Sequence, residues 1–139
     1  MTSRESSAYD FAILRVVPHV HLAAFTPVGV IVHARTAEFL AMRAVRDPAE
    51  LRARFPGLDH ELLERYLHTF ERICAGDPIA GPVALEPPSE RFHWLTSPRS
   101  DVLQTSPIHE GVADDPRRAL EALFRAYVLD AFPGGPPAA

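Results

Sequence analysis

The stretch Pro27-Val28-Gly29-Val30-Ile31-Val32-His33-Ala34 places four β-branched residues within five positions. It lacks the polar alternation of a half-exposed strand, so it reads as a central strand covered on both faces. The neighbouring segments follow from it. Ala8–Val17 reads as a strand ended by Pro18, and residues 19–26 are a connection. Glu38–Val45 is a third strand, weaker because Ala, Leu, Met and Arg also suit a helix. Asp47-Pro48-Ala49-Glu50 opens a short helix with a cap, an N1 proline and a capping-box acid. Pro56-Gly57 ends it. Asp59 caps a longer helix to Ala75, whose apolar stripe is Leu62, Leu63, Tyr66, Leu67, Phe70, Ile73 and Cys74, with Gly76 as C-cap.

Residues 77–90 are a proline-rich connection with room for an edge strand near Val83–Leu85 but not for a helix. Arg91–Thr96 and Asp101–Ser106 read as two strands joined by Ser97-Pro98-Arg99-Ser100. Asp115-Pro116 opens a last helix with a stripe of Leu120, Leu123, Phe124, Tyr127 and Val128, running to about Phe132. The order β-β-β-α-α-β-β-α predicts an α+β fold: an antiparallel sheet of about five strands with three helices. The 139 residues fit one domain. Residues 8–132 would form it, between a disordered N-terminus at 1–7 and a disordered Pro/Gly tail at 133–139.

Composition excludes several chemistries. All 14 basic residues are Arg, which removes a phosphate-loop lysine, a Schiff-base lysine and a Ser–Lys dyad. The single cysteine, Cys74, permits no internal disulfide, and no metal constellation or cofactor motif is present. The net charge of −4 argues against a broad nucleic-acid binder. Apolar runs fall well short of about 18 residues and no leader pattern is seen, so a cytoplasmic location without membrane contact is expected. His19-Val20-His21 has the spacing of a metal pair but no third ligand, and solvated loop histidines are the favoured reading.

The predicted hairpin carries the functional expectation. With Thr96 opposite Asp101, His93 faces Gln104, Arg91 faces Ser106 and Trp94 faces Leu103. Arg91, His93, Gln104 and Ser106 would share one face, and Phe92, Trp94 and Leu103 the core face. Arg99, Ser100 and His109 would add to the polar side. Guanidinium, imidazole, amide and hydroxyl groups suit an anion such as a phosphate or carboxylate, and a histidine can serve as acid or base. An ordinary solvated sheet face shows the same alternation. On this reading neither Arg91 nor Arg99 is needed for folding.

Arg91-Phe92-His93-Trp94-Leu95, Pro98-Arg99-Ser100, Gln104, Ser106-Pro107-Ile108-His109, Gly111 and Asp115-Pro116 resemble the bacterial family called domain of unknown function 3037. Tyr9, Arg15-Val16-Val17-Pro18, Val28-Gly29-Val30, Phe55-Pro56, Ile73-Cys74-Ala75-Gly76 and Gly81-Pro82 extend the likeness over about residues 8–130. The family often has Glu and Asn before Val-Gly-Val, where this chain has Ala24 and Pro27. It often has Cys before the Asp-Pro, where Ala113 and Asp114 stand. A family site built on those residues would be partly lost here. The resemblance implies an accessory partner of a HipA-like kinase. Two functions follow as expectations. The first is a non-catalytic binding module using Arg91, His93, Arg99, Ser100, Gln104 and His109. The second is a small enzyme acting on a phosphoester or other anionic substrate, with His93 as general acid or base, Arg91 and Arg99 as anion clamps, and Gln104 and His109 as positioning groups. The module is preferred, because His93-Trp94-Leu95 lacks the His-x-Ser/Thr pattern of two-histidine phosphoesterases.

Overall fold

The computed structural model describes residues 6–17, 25–99 and 101–130. Of the disorder expected at 1–7, residues 1–5 lie outside the described residues while Ser7 opens the first strand; the tail at 133–139, the His19/His21 pair, Ala24 and Ser100 also lie outside them. Three strands open the fold: β1 (Ser7–Val16), β2 (Thr26–Ala34) and β3 (Phe39–Ala44). Helices α1 (Pro48–Arg54), α2 (His60–Ala75) and α3 (Pro88–Leu95) follow, then strands β4 (Leu103–Thr105) and β5 (His109–Ala113). Helix α4 (Pro116–Phe124) continues into one π turn to Leu129. The sheet is antiparallel in the order β3-β2-β1-β4, with β5 also on β1. Among the described residues no helix is long and apolar enough to cross a membrane.

The central-strand reading of β2 holds. Val28, Val30, Ile31 and Val32 are 0% exposed, because both faces of the sheet are covered. Val30 is paired with Arg43, whose guanidinium reaches Glu121 and the Phe124 ring of α4. Three residues along β2, His33 stacks on Phe92 of α3, so it lies on the opposite face. Helix α4 therefore covers one side and α2 with α3 the other. Helix α2 contributes buried Leu63, Leu67, Phe70, Ile73 and Cys74. Burial pushes the Cys74 thiol up to about 12, as suits a core residue.

Local signals at helix ends survive into the structure. The Asp59 side chain accepts from Leu62 N–H at 3.1 Å, and Asp115 accepts from Arg117 N–H at 3.0 Å. Gly76 closes α2 in the left-handed conformation, φ 73°. The capping box of α1 does not form: Asp47 makes no side-chain cap, and Glu50 pairs with Arg54 one turn on.

The predicted hairpin does not exist. Arg91–Thr96 is not a strand: residues 88–95 are α3, opened by Pro88 at its first position with Glu90 in the first turn. Its buried residues are Phe92 and Leu95, three apart, and Trp94 is 38% exposed. Helical spacing, not strand alternation, sorts these side chains. The proline-rich connection is also helical, with 3-10 turns at Pro78–Ala80 and Pro82–Leu85 in place of an edge strand. Five strands are still found, because His109–Ala113 is a strand rather than a loop.

β4 and β5 behave as one broken strand along β1. Leu14 pairs with Thr105 and Phe11 with His109, so one extra residue is accommodated between them. Ser106 closes that irregularity. Its N–H donates to Ile13 O and its hydroxyl accepts from Ile13 N–H, each at 2.9 Å. Pro107, which follows, has no N–H to offer the ladder.

Candidate functional site

Arg91 ends up as a structural clamp. From α3 it reaches back to the C-terminus of α2, where Nη1 donates to Ile73 O at 3.0 Å and to Cys74 O at 2.6 Å. Nε donates to Glu86 O at 2.8 Å. The last carbonyls of a helix have no intrahelical partner and carry its negative dipole end, so a guanidinium there satisfies both. The expectation that Arg91 belongs to a polar binding face is corrected: its Nε and Nη1 donors are engaged inside the fold.

Arg99 repeats this arrangement at the end of α3 and leaves part of itself outside. Nη2 donates to Trp94 O at 2.7 Å. Thr96 Oγ1 donates to Phe92 O and Ser97 Oγ to His93 O, each at 2.8 Å. The Arg99 guanidinium lies 4.6 Å from the Trp94 ring centroid and 5.1 Å from that of Phe70. Trp94 in turn meets Phe70 edge-on at 6.1 Å. Burial lowers the Arg99 pKa and the Asp101 carboxylate opposes this, but a guanidinium keeps its charge at any physiological pH. Tyr66 donates to Asp101; burial, then that carboxylate, raises its pKa. An arginine held against two touching aromatic rings and a backbone carbonyl is pre-organised for recognition.

His93 is exposed beside this pair on the last turn of α3. Gln104 does not face His93. It pairs in register with Arg15 of β1, and its Nε2 donates to Asp101 O at 2.9 Å. His109 is farther removed. It stacks on Phe11 at 5.2 Å, on the α4 side of the sheet, where Phe11 also meets Tyr127 at 5.9 Å. An active site with His93 as acid or base and His109 positioning its substrate is thus divided by the sheet itself. Of the six expected residues, His93 and Arg99 share a surface, Gln104 supports the loop behind it, Arg91 and His109 stand elsewhere, and Ser100 lies outside the described residues. Among the described residues no group of three His, Cys, Asp or Glu could hold a metal ion.

The sequence reading missed the contribution of α2 to this surface. Tyr66 and Phe70 lie one turn apart in its stripe, and their i, i+4 spacing carries the signal that an aromatic pair is available to a neighbouring cation. A family model described as "Protein of unknown function (DUF3037)" matches residues 11–128. No curated protein and no solved structure matches the chain.

Proposed function

We propose a function for a chain that belongs to the DUF3037 family of proteins of unknown function: a non-catalytic binding module whose working surface is the end of α3. The observation that supports this is the Trp94–Arg99 pair. Trp94 is 38% exposed, yet its ring is held by contacts with both Phe70 and the Arg99 guanidinium. Tryptophan and arginine dominate the energetic centres of protein interfaces, above all where they are rigid before binding. The guanidinium and the exposed His93 favour an acidic side chain or phosphate on the partner. The partner implied by the family resemblance is a HipA-like kinase.

The test is calorimetric titration of the protein with a HipA-like kinase from the same genome, for wild type, Trp94→Ala and Arg99→Ala. Trp94→Ala should weaken the complex by about 2 kcal/mol, roughly thirtyfold. Arg99→Ala should weaken it by about 1.5–3 kcal/mol. Thermal melts of both variants check that folding is retained. Unchanged affinity in both folded variants removes the surface from the interface. Failure of the wild type to bind removes the kinase as partner.

A further inference from the structure

A second site lies on the α3 side of the sheet, at the far end from Trp94 along β1. The strand register sets Glu110 of β5 opposite Asp10 of β1, and Asp10 opposite His33 of β2. The three side chains form one row across three strands on one face. They line a cleft of about 290 Å³ together with Tyr9, Arg35 and Thr36.

Two features of this row have no structural use. Like charges directly opposite one another across a ladder destabilise a sheet. Among the described residues neither Asp10 nor Glu110 has an ion pair that offsets this. His33 is 5% exposed and stacks on Phe92 at 5.2 Å. Its imidazole makes no hydrogen bond among the described residues. Its nitrogens are not among the sealed, unpartnered polar atoms of the fold, so the ring is open to the cleft and can accept from a ligand there. Burial lowers the His33 pKa, Asp10 opposes the shift and Arg35 adds to it. The ring is therefore neutral near pH 7 and keeps one acceptor nitrogen.

We propose that this cleft binds the ammonium group of a small amino acid, with Asp10, Glu110 and the free His33 nitrogen as its three acceptors. An ammonium has three N–H donors and no acceptor, which matches this set in number and kind. It also places a positive charge between the facing carboxylates, neither of which is ion-paired among the described residues. Arg35, on the same wall, suits the carboxylate of that ligand and explains why a simple amine is not the preferred occupant. The site is separate from the Trp94 surface, and either can fail without the other.

The experiment follows the His33 ring resonances by NMR at about pH 7.5, assigned with a His33→Gln sample, as 4-aminobutanoate, n-butylamine or butanoate is added to the full chain. Saturable shifts with 4-aminobutanoate below about 10 mM, weaker with n-butylamine and absent with butanoate, are expected. Asp10→Asn with Glu110→Gln, whose melts should match or exceed wild type, should weaken 4-aminobutanoate at least about tenfold. If the double substitution unfolds, Glu110→Gln alone at the exposed position carries the same expectation. Butanoate binding as well as 4-aminobutanoate would reduce the site to Arg35 and overturn the proposal. So would equal binding of n-butylamine, unchanged binding in the folded carboxamide variants, or no saturable shift.

Discussion

Arg91→Ala separates a structural arginine from a binding one. The substitution removes three charge-assisted hydrogen bonds, to Ile73 O, Cys74 O and Glu86 O. A hydrogen bond to a charged group contributes roughly 1.5–3 kcal/mol, and the interaction of a cation with a helix C-terminus about 0.3–1 kcal/mol. The three bonds share one side chain and are not additive. Glu86 is exposed, so its carbonyl regains water when the guanidinium is removed. Ile73 and Cys74 are buried, and their carbonyls at the end of α2 lose more. The expected loss is about 2–4 kcal/mol, and at roughly 3–4 °C per kcal/mol for a chain of this size the Tm falls by about 6–16 °C. Arg91→Lys should recover about half, since an ammonium replaces the charge but not the fork that spans three carbonyls. The assay is urea unfolding followed by circular dichroism, with Arg99→Ala alongside. That variant loses one carbonyl contact and an exposed cation–π pair, about 1 kcal/mol. A loss below about 0.5 kcal/mol for Arg91→Ala would refute the clamp and return Arg91 to the surface.

Three further outcomes are expected. Ser106→Ala strands the buried Ile13 N–H and should cost about 1–3 kcal/mol by denaturant unfolding, whereas a change under about 0.5 kcal/mol would mean the β4–β5 break needs no hydroxyl. Gly111→Ala would drive a Cβ into the Tyr9 ring and should cost about 1–2 kcal/mol; adding Tyr9→Ala should remove most of that penalty in a double-mutant cycle, and simple additivity would contradict the close approach. The lowered His33 pKa fixes a sign for acid stability: below about pH 6.5 the unfolded chain takes up the proton while the folded ring does not, so stability falls with pH until the lowered native value is reached. Melts of wild type and His33→Gln across that window should diverge on the acid side, and parallel curves would show that the ring titrates as it does in the unfolded chain.

What the sequence settled by itself is what neighbours in the chain can settle. The caps of α2 and α4, the stop at Gly76 and the buried run of β2 depend on residues within a few positions, and each took its expected place. Segment 91–96 was different, because Arg-Phe-His-Trp-Leu satisfies strand alternation and a short helical stripe equally well. The tertiary structure decided between them. The edge of β1 takes Leu103–Thr105 and His109–Ala113 as partners, so the local hairpin has no strand left to form with. Pro87-Pro88 starts a helix instead, whose Phe92 and Leu95 enter the core below α2. With that exchange Trp94 moves outward, Arg91 turns to the end of α2 and His109 passes to the opposite face. The row of Glu110, Asp10 and His33 was equally hidden, because residues about 23 and 100 positions apart along the chain become neighbours only through strand register.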